Sequence, residues 1–397
     1  MMYQTAISGK NNCKISIIIL VTGVKMLYNR LYTRFCKADT VLIFCCMGLC
    51  GLSLYLLYTL AVSNFSHMLT SGFTRRSAMI QAVAVLIGLI AFLAILLLGE
   101  RTIKRLSPAA FAVSLGLCLL TLTPLGVTVD DDRAWLSLFR VTIQPSELLK
   151  IGFIMLSALI LSSPIRKMAK YLLFWGCALS GGAVIFLQRD MGTLLIFMLT
   201  ALGMFFCAGT SKRLWAAAIL LSPAFMYGAW RLLLNSDQKA RIMSAIDPAL
   251  DPYGVGYQQL SAKNAIAGGG FTGRLFENRG DLIYVSSAQN DFILSFAAQL
   301  FGTVGLFLIC ILLSIIIIRS APRKDDEGYI YYIRSGVFTL IATQAAINTM
   351  MNLSVFPVVG IPLPFVSAGG TAAAAMLCAL GLVSLAPQEK ALPERVI

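Results

Sequence analysis

The sequence has little charge and almost no histidine. Of its 397 residues 13% are charged and one is histidine, His67. Soluble domains carry about 25% charged residues, so an ordinary soluble globular domain is excluded. One histidine nearly excludes histidine acid–base chemistry, and proton transfer falls to carboxylates, Lys or Tyr. No GxxxxGK[ST] nucleotide loop, GxSxG elbow or HExxH motif occurs. The ten cysteines lie mostly in apolar runs, as Cys45, Cys46, Cys50, Cys118 and Cys310 do. None has metal-ligand spacing with histidine, so they read as small packing residues.

Hydrophobic residues make up 58% of the chain. Runs of about 17–25 apolar residues mark membrane helices. Ten are read, at 40–62, 77–99, 108–128, 147–163, 170–187, 192–209, 214–230, 292–318, 329–353 and 366–386. The expected fold is therefore an all-α polytopic membrane protein of ten helices. One long extracytoplasmic loop, 231–290, joins helices 7 and 8. Residues 1–38 form a cytoplasmic lead whose start is Met1 or Met26, 39–386 the membrane domain, and 387–397 a cytoplasmic tail. The net charge of +14 reads as Lys and Arg gathered in cytoplasmic loops, with no nucleic-acid partner. With the N-terminus inside, nineteen basic residues fall on inside segments and five on short outside loops. Both termini are then cytoplasmic and Asp291 faces outward.

Charges at or within spans are functional candidates by default. Glu147 and Lys150, in QPSELLK, share a helix face at i and i+3; a self-satisfied ion pair on the helix is the plainer reading. Asp190, in QRDMGT, reads as a helix cap. Asp291, in SAQNDFILSF, opens an uncharged run that lasts to Arg319, and on spacing alone it too reads as a cap. The segment NTMMNLSVFPVVGIPLPFVSAGGT is broken by Pro357, Pro362 and Pro364. Such backbone is tolerated at membrane depth only against protein or a cavity. Ser367, Gly369 and Gly370 follow it with backbone amides suited to an anion, or to close helix contact.

Taken in order, QPSELLK, QRDMGT, GYQ, AIAGGG, NDF and GIPLPFVSAGGT resemble the shape, elongation, division and sporulation (SEDS) family, which includes RodA and FtsW. The likeness runs from about residue 38 to 386. It implies ten membrane helices in a bacterial cytoplasmic membrane. It also implies a peptidoglycan glycosyltransferase that polymerises lipid II into glycan strands outside, beside a class B penicillin-binding protein that cross-links them. By the same resemblance Asp291 is the catalytic carboxylate. Glu147, Lys150, Trp135, Arg133, Arg241, Gln258, Gln344, Asn348, Ser367, Gly369 and Gly370 line the substrate site. No metal ligands are evident, and a divalent cation, Mg or Mn, is compatible with a diphosphate substrate. The sequence departs from the family pattern at Ala134, at Arg189, and in SSAQNDF around Asp291. A transporter or lipid flippase would also carry intramembrane charges and broken helices, but its charges belong at mid-depth. A catalytically silent scaffold is the third reading.

Overall fold

The computed structural model describes residues 39–62, 73–129, 132–138, 141–232, 236–247, 256–275 and 282–385. The expected lead 1–38 and tail 387–397 lie outside them, as does His67. Eleven helices are described: α1 (Thr40–Val62), α2 (Phe73–Thr121), α3 (Pro145–Ser162), α4 (Lys167–Leu187), α5 (Met191–Cys207), α6 (Lys212–Leu232), α7 (Ser236–Ile246), α8 (Tyr257–Gly269), α9 (Ile293–Ser320), α10 (Gly328–Asn352) and α11 (Gly370–Val383). Among the described residues five are long and apolar enough to cross a membrane: α1, α2, α3, α4 and α9. The molecule is a multi-pass membrane protein.

The structure is not purely helical. The run expected as a span to residue 128 stops being helical at Thr121, and a three-stranded antiparallel sheet follows: β1 (Gly126–Val129), β2 (Asp132–Leu138) and β3 (Val141–Ile143). Trp135 pairs with Val127, and Leu136 with Ile143. The β-branched residues of VTV and VTI favour a pleated strand over a helix. The sheet hands the chain directly to α3.

Residues 77–99 and 108–121, read as parts of two separate spans, belong to one helical element broken at Gly99, whose φ of 72° suits glycine. The break turns the chain back. Ser107 Oγ, past it, lies 2.9 Å from Tyr329 Oη near the start of α10. Gln81 and Thr121, near the two outer ends of the element, both bond into the opposite end of the bundle.

Polar side chains tie the two ends of the bundle, and aromatic packing fills the middle. At one end Asp39 Oδ2 accepts from Arg319 Nη1 at 3.1 Å and Arg323 Nη2 at 3.0 Å, joining α1 to α9. Arg334 of α10 donates to the Val383 carbonyl of α11 at 2.8 Å. In the core, the Phe153 ring of α3 meets Phe174 of α4 and Phe197 of α5 at centroid distances of 5.7 and 4.7 Å.

α9 is broken as well. Gly302 has φ 67°, and the break deprives the next turn of its helical acceptors. The loop after α8 supplies them: Thr303 N donates to the Gly270 carbonyl at 3.0 Å and Val304 N to that of Phe271 at 3.3 Å. In return Arg274 N donates to the Gln299 carbonyl at 3.0 Å. The unbroken run expected from residue 292 is thus two limbs, and Asp291 precedes the shorter, buried one.

Candidate active site

The segment 289–291 is held by its main chain. Ala368 N donates to the Gln289 carbonyl at 2.8 Å. Ser367 Oγ donates to the Asn290 carbonyl and accepts from Leu363 N at 2.7 Å. The Asp291 carbonyl accepts from Asn348 Nδ2 at 2.8 Å and Asn352 Nδ2 at 2.9 Å. The two asparagines sit one turn apart on α10 and present one face. Asn348 Nδ2 also reaches the Ile361 carbonyl at 2.7 Å, and Gln344 Nε2 the Pro362 carbonyl at 3.0 Å. The proline-broken loop removes its own backbone pairing, so buried amides from α10 replace it. Asp291 itself is half-buried.

Ser367 and Gly369 are gripped from α2. Gln81, buried, donates to the Ser367 carbonyl at 3.1 Å and to Ser53 Oγ at 3.3 Å, and accepts from Gly369 N at 3.1 Å. Gly369 is the N-cap of α11, and Gly370 starts that helix against Ile80.

α3 begins beside this loop. Gln144 N donates to Thr371 Oγ1 at 3.2 Å, and Gln144 Nε2 to Asp190 Oδ2 at 2.7 Å. Gln144 is the N-cap and Pro145 the first helical residue. Ser146 therefore lies inside the helix, because proline is pre-set for the first position. Glu147 follows in the first turn, where the helix dipole favours a carboxylate. Lys150 Nζ lies 2.7 Å from Glu147 Oε1, and both residues are 2% exposed. Glu147 Oε2 is buried and has no protein partner. Asp190 does cap, accepting from Thr193 N at 2.9 Å.

The remaining candidates sit on other elements. Trp135 is half-buried on β2. Arg133 is exposed there; its Nη2 donates to the Thr123 carbonyl at 3.2 Å and its main-chain N to that of Gln188 at 2.9 Å. Arg241 is exposed on α7. Gln258 is half-buried on α8, but its neighbour Gln259 makes the connection, donating Nε2 to the Phe356 carbonyl at 2.9 Å. The structure thus joins Asp291, Asn348, Gln344, Ser367 and Gly369 in one network, pairs Glu147 with Lys150 next to it, and leaves Arg133 and Arg241 on separate elements.

Sequence reasoning missed Gln81, Asn352, Gln144 and Gln259. A usable signal existed for the first two. An amide inside an apolar run, as in MIQAVAVL or NTMMNL, is costly unless bonded, so each implied a buried partner.

A membrane-embedded helical bundle with a pinned carboxylate-bearing loop at one end is the class of protein defined here. The chain belongs to the FtsW/RodA/SpoVE family of cell cycle proteins, whose model matches residues 40–391. It is 27% identical over 312 residues to the peptidoglycan glycosyltransferase MrdB of Escherichia coli K12, covering 75% of this chain and 82% of that protein. A probable peptidoglycan glycosyltransferase FtsW of Thiomicrospira cyclica is 34% identical over 285 residues, covering 68% and 72%. Stage V sporulation protein E of Bacillus subtilis is 30% identical over 307 residues, covering 75% and 83%. Among solved structures, a chain from work on structural coordination of polymerization and crosslinking by a peptidoglycan synthase complex superposes with a TM-score of 0.71. It shares 26% identity, with 88% of this chain and 97% of that one covered. The rod shape determining protein RodA of Thermus thermophilus shares the fold, with a TM-score of 0.62, 23% identity and coverage of 88% and 96%.

Proposed function

We infer that the chain is a peptidoglycan glycosyltransferase that polymerises lipid II into glycan strands for cell-wall synthesis, with Asp291 as its general base. The single observation that carries the assignment of the base is the convergence of Asn348, Asn352 and Ser367 on the carbonyls of Asn290 and Asp291. Three side chains from two elements hold the main chain on either side of one carboxylate, and such preorganisation is what positioned proton transfer requires.

The Asp291 carboxylate takes the proton of the acceptor sugar's 4-hydroxyl. The 4-oxygen bonds to the anomeric carbon of the donor sugar as that carbon's bond to the lipid diphosphate breaks. The diphosphate leaves with the bonding pair and the polyprenyl chain. A positioned base contributes roughly 10²- to 10⁴-fold. Arg133 and Arg241, exposed, are suited to the leaving diphosphate. The Glu147–Lys150 pair orders the start of α3 next to the site. A Mg or Mn ion would come with the diphosphate and neutralise its charge.

We place the site on the outer face of a bacterial cytoplasmic membrane, with ten crossings, both termini cytoplasmic and 231–290 external. Support comes from the nineteen-to-five split of basic residues and the turn at Gly99 that divides α2. A class B penicillin-binding protein is the proposed partner, supported by the likeness to the synthase-complex chain. Gel analysis of glycan products from purified protein and lipid II is the test. Ladders of long strands are expected; lipid II translocation without strands would instead identify a flippase, and neither activity would leave a scaffold.

A further inference from the structure

The N-cap residue of helix α9 is Phe292, which makes no side-chain cap hydrogen bond. The third amide of a helix is the usual partner of a capping oxygen, and here that amide belongs to Ser295. It is satisfied from another helix: Asn352 Oδ1 of α10 accepts from Ser295 N at 3.0 Å and from Ser295 Oγ at 2.6 Å. The other half of the same carboxamide donates to the Asp291 carbonyl at 2.9 Å, and to the Asn348 carbonyl at 2.9 Å. Asn352 is 0% exposed.

We propose that Asn352 is a positioning residue for the reaction, a cap supplied in trans to the Ser295 amide that also fixes the main chain of Asp291. The inference rests on Asp291 being the base. The carboxamide spans Asp291 and Ser295 as one rigid group, so the base is located relative to the first turn of α9 and the last turn of α10 together. Asn348 shares the Asp291 carbonyl but reaches toward Ile361, so it ties the base to the proline loop and not to α9.

The test is a double-mutant cycle on the purified full-length protein with lipid II, reading kcat and KM separately. Asn352→Ala and the nearly isosteric Asn352→Leu are expected to lower kcat about 10-fold with KM within about 2-fold, because the base is displaced while the lipid is still bound. Asp291→Asn alone is expected to lose about 10²-fold. In the Asp291→Asn background, Asn352→Leu should cause no further loss, since Asn352 acts only through that carboxylate. Unchanged kcat in a folded Asn352→Leu protein overturns the inference, as does an equal loss with and without Asp291, which marks a purely structural residue. Near wild-type polymerisation by Asp291→Asn would instead overturn the assignment of the base. If the alanine variant does not fold, the leucine variant, compared by melting in detergent, decides.

Discussion

Lys150 Nζ and Glu147 Oε1 meet at 2.7 Å on α3 with both side chains sealed from solvent. Removing one partner of a buried pair strands the other charge, which costs about 3–5 kcal/mol, whereas replacing both with apolar groups is close to neutral. Lys150→Met should therefore lower the melting temperature in detergent as well as polymerisation. Glu147→Leu with Lys150→Met should recover the melting temperature. If the pair orders the site, the double variant stays slow; recovery of full polymerisation would reduce it to a packing element.

Asp291→Asn keeps size and hydrogen-bonding capacity but cannot take a proton. The main-chain bonds from Asn348 and Asn352 go to its carbonyl and survive the change. Folding and lipid II binding should persist, with polymerisation down about 10²-fold or more. Long glycan chains made at a near wild-type rate would redirect attention to Glu147 and Asp190.

Gln81→Leu should leave the Ser367 carbonyl and the Gly369 amide without the partners that α2 supplies. A buried polar group left unsatisfied costs about 1–3 kcal/mol. The expected outcome is a modest fall in stability with a larger fall in rate, because Ser367 is also the donor to Asn290. Gln81→Glu keeps the acceptor for Gly369 but sets a buried carboxylate oxygen against the Ser367 carbonyl, and should lose at least as much.

Lys263 is exposed on α8. In a background without native cysteines, Lys263→Cys should label in intact cells with a membrane-impermeant maleimide. Labelling that requires permeabilised membranes would invert the proposed topology.

Membrane character and the order of the helices were legible in the linear chain, because burial in lipid demands long apolar runs and lipid-exposed charge is costly. The Glu147–Lys150 pair was legible for a similar reason: i and i+3 spacing brings side chains together within one helix. So was the capping role of Asp190. The hold on the Asp291 main chain was not legible, because Asn348 and Asn352 reach its carbonyl from α10. The oxygen on the Ser295 amide likewise comes from Asn352, 57 residues away, a contact that exists only once α10 packs on α9. The strands at 126–143 replaced the end of an expected span because the β-branched residues of β1 and β3 paired with β2 between them, Val127 with Trp135 and Ile143 with Leu136. The break at Gly302 was likewise invisible as a break, since a glycine in an apolar run serves a straight helix too; the loop carbonyls of Gly270 and Phe271 decide that α9 bends. Local spacing thus reached the Glu147–Lys150 pair and the Asp190 cap, while the hold on Asp291 came from segments that only folding brings together.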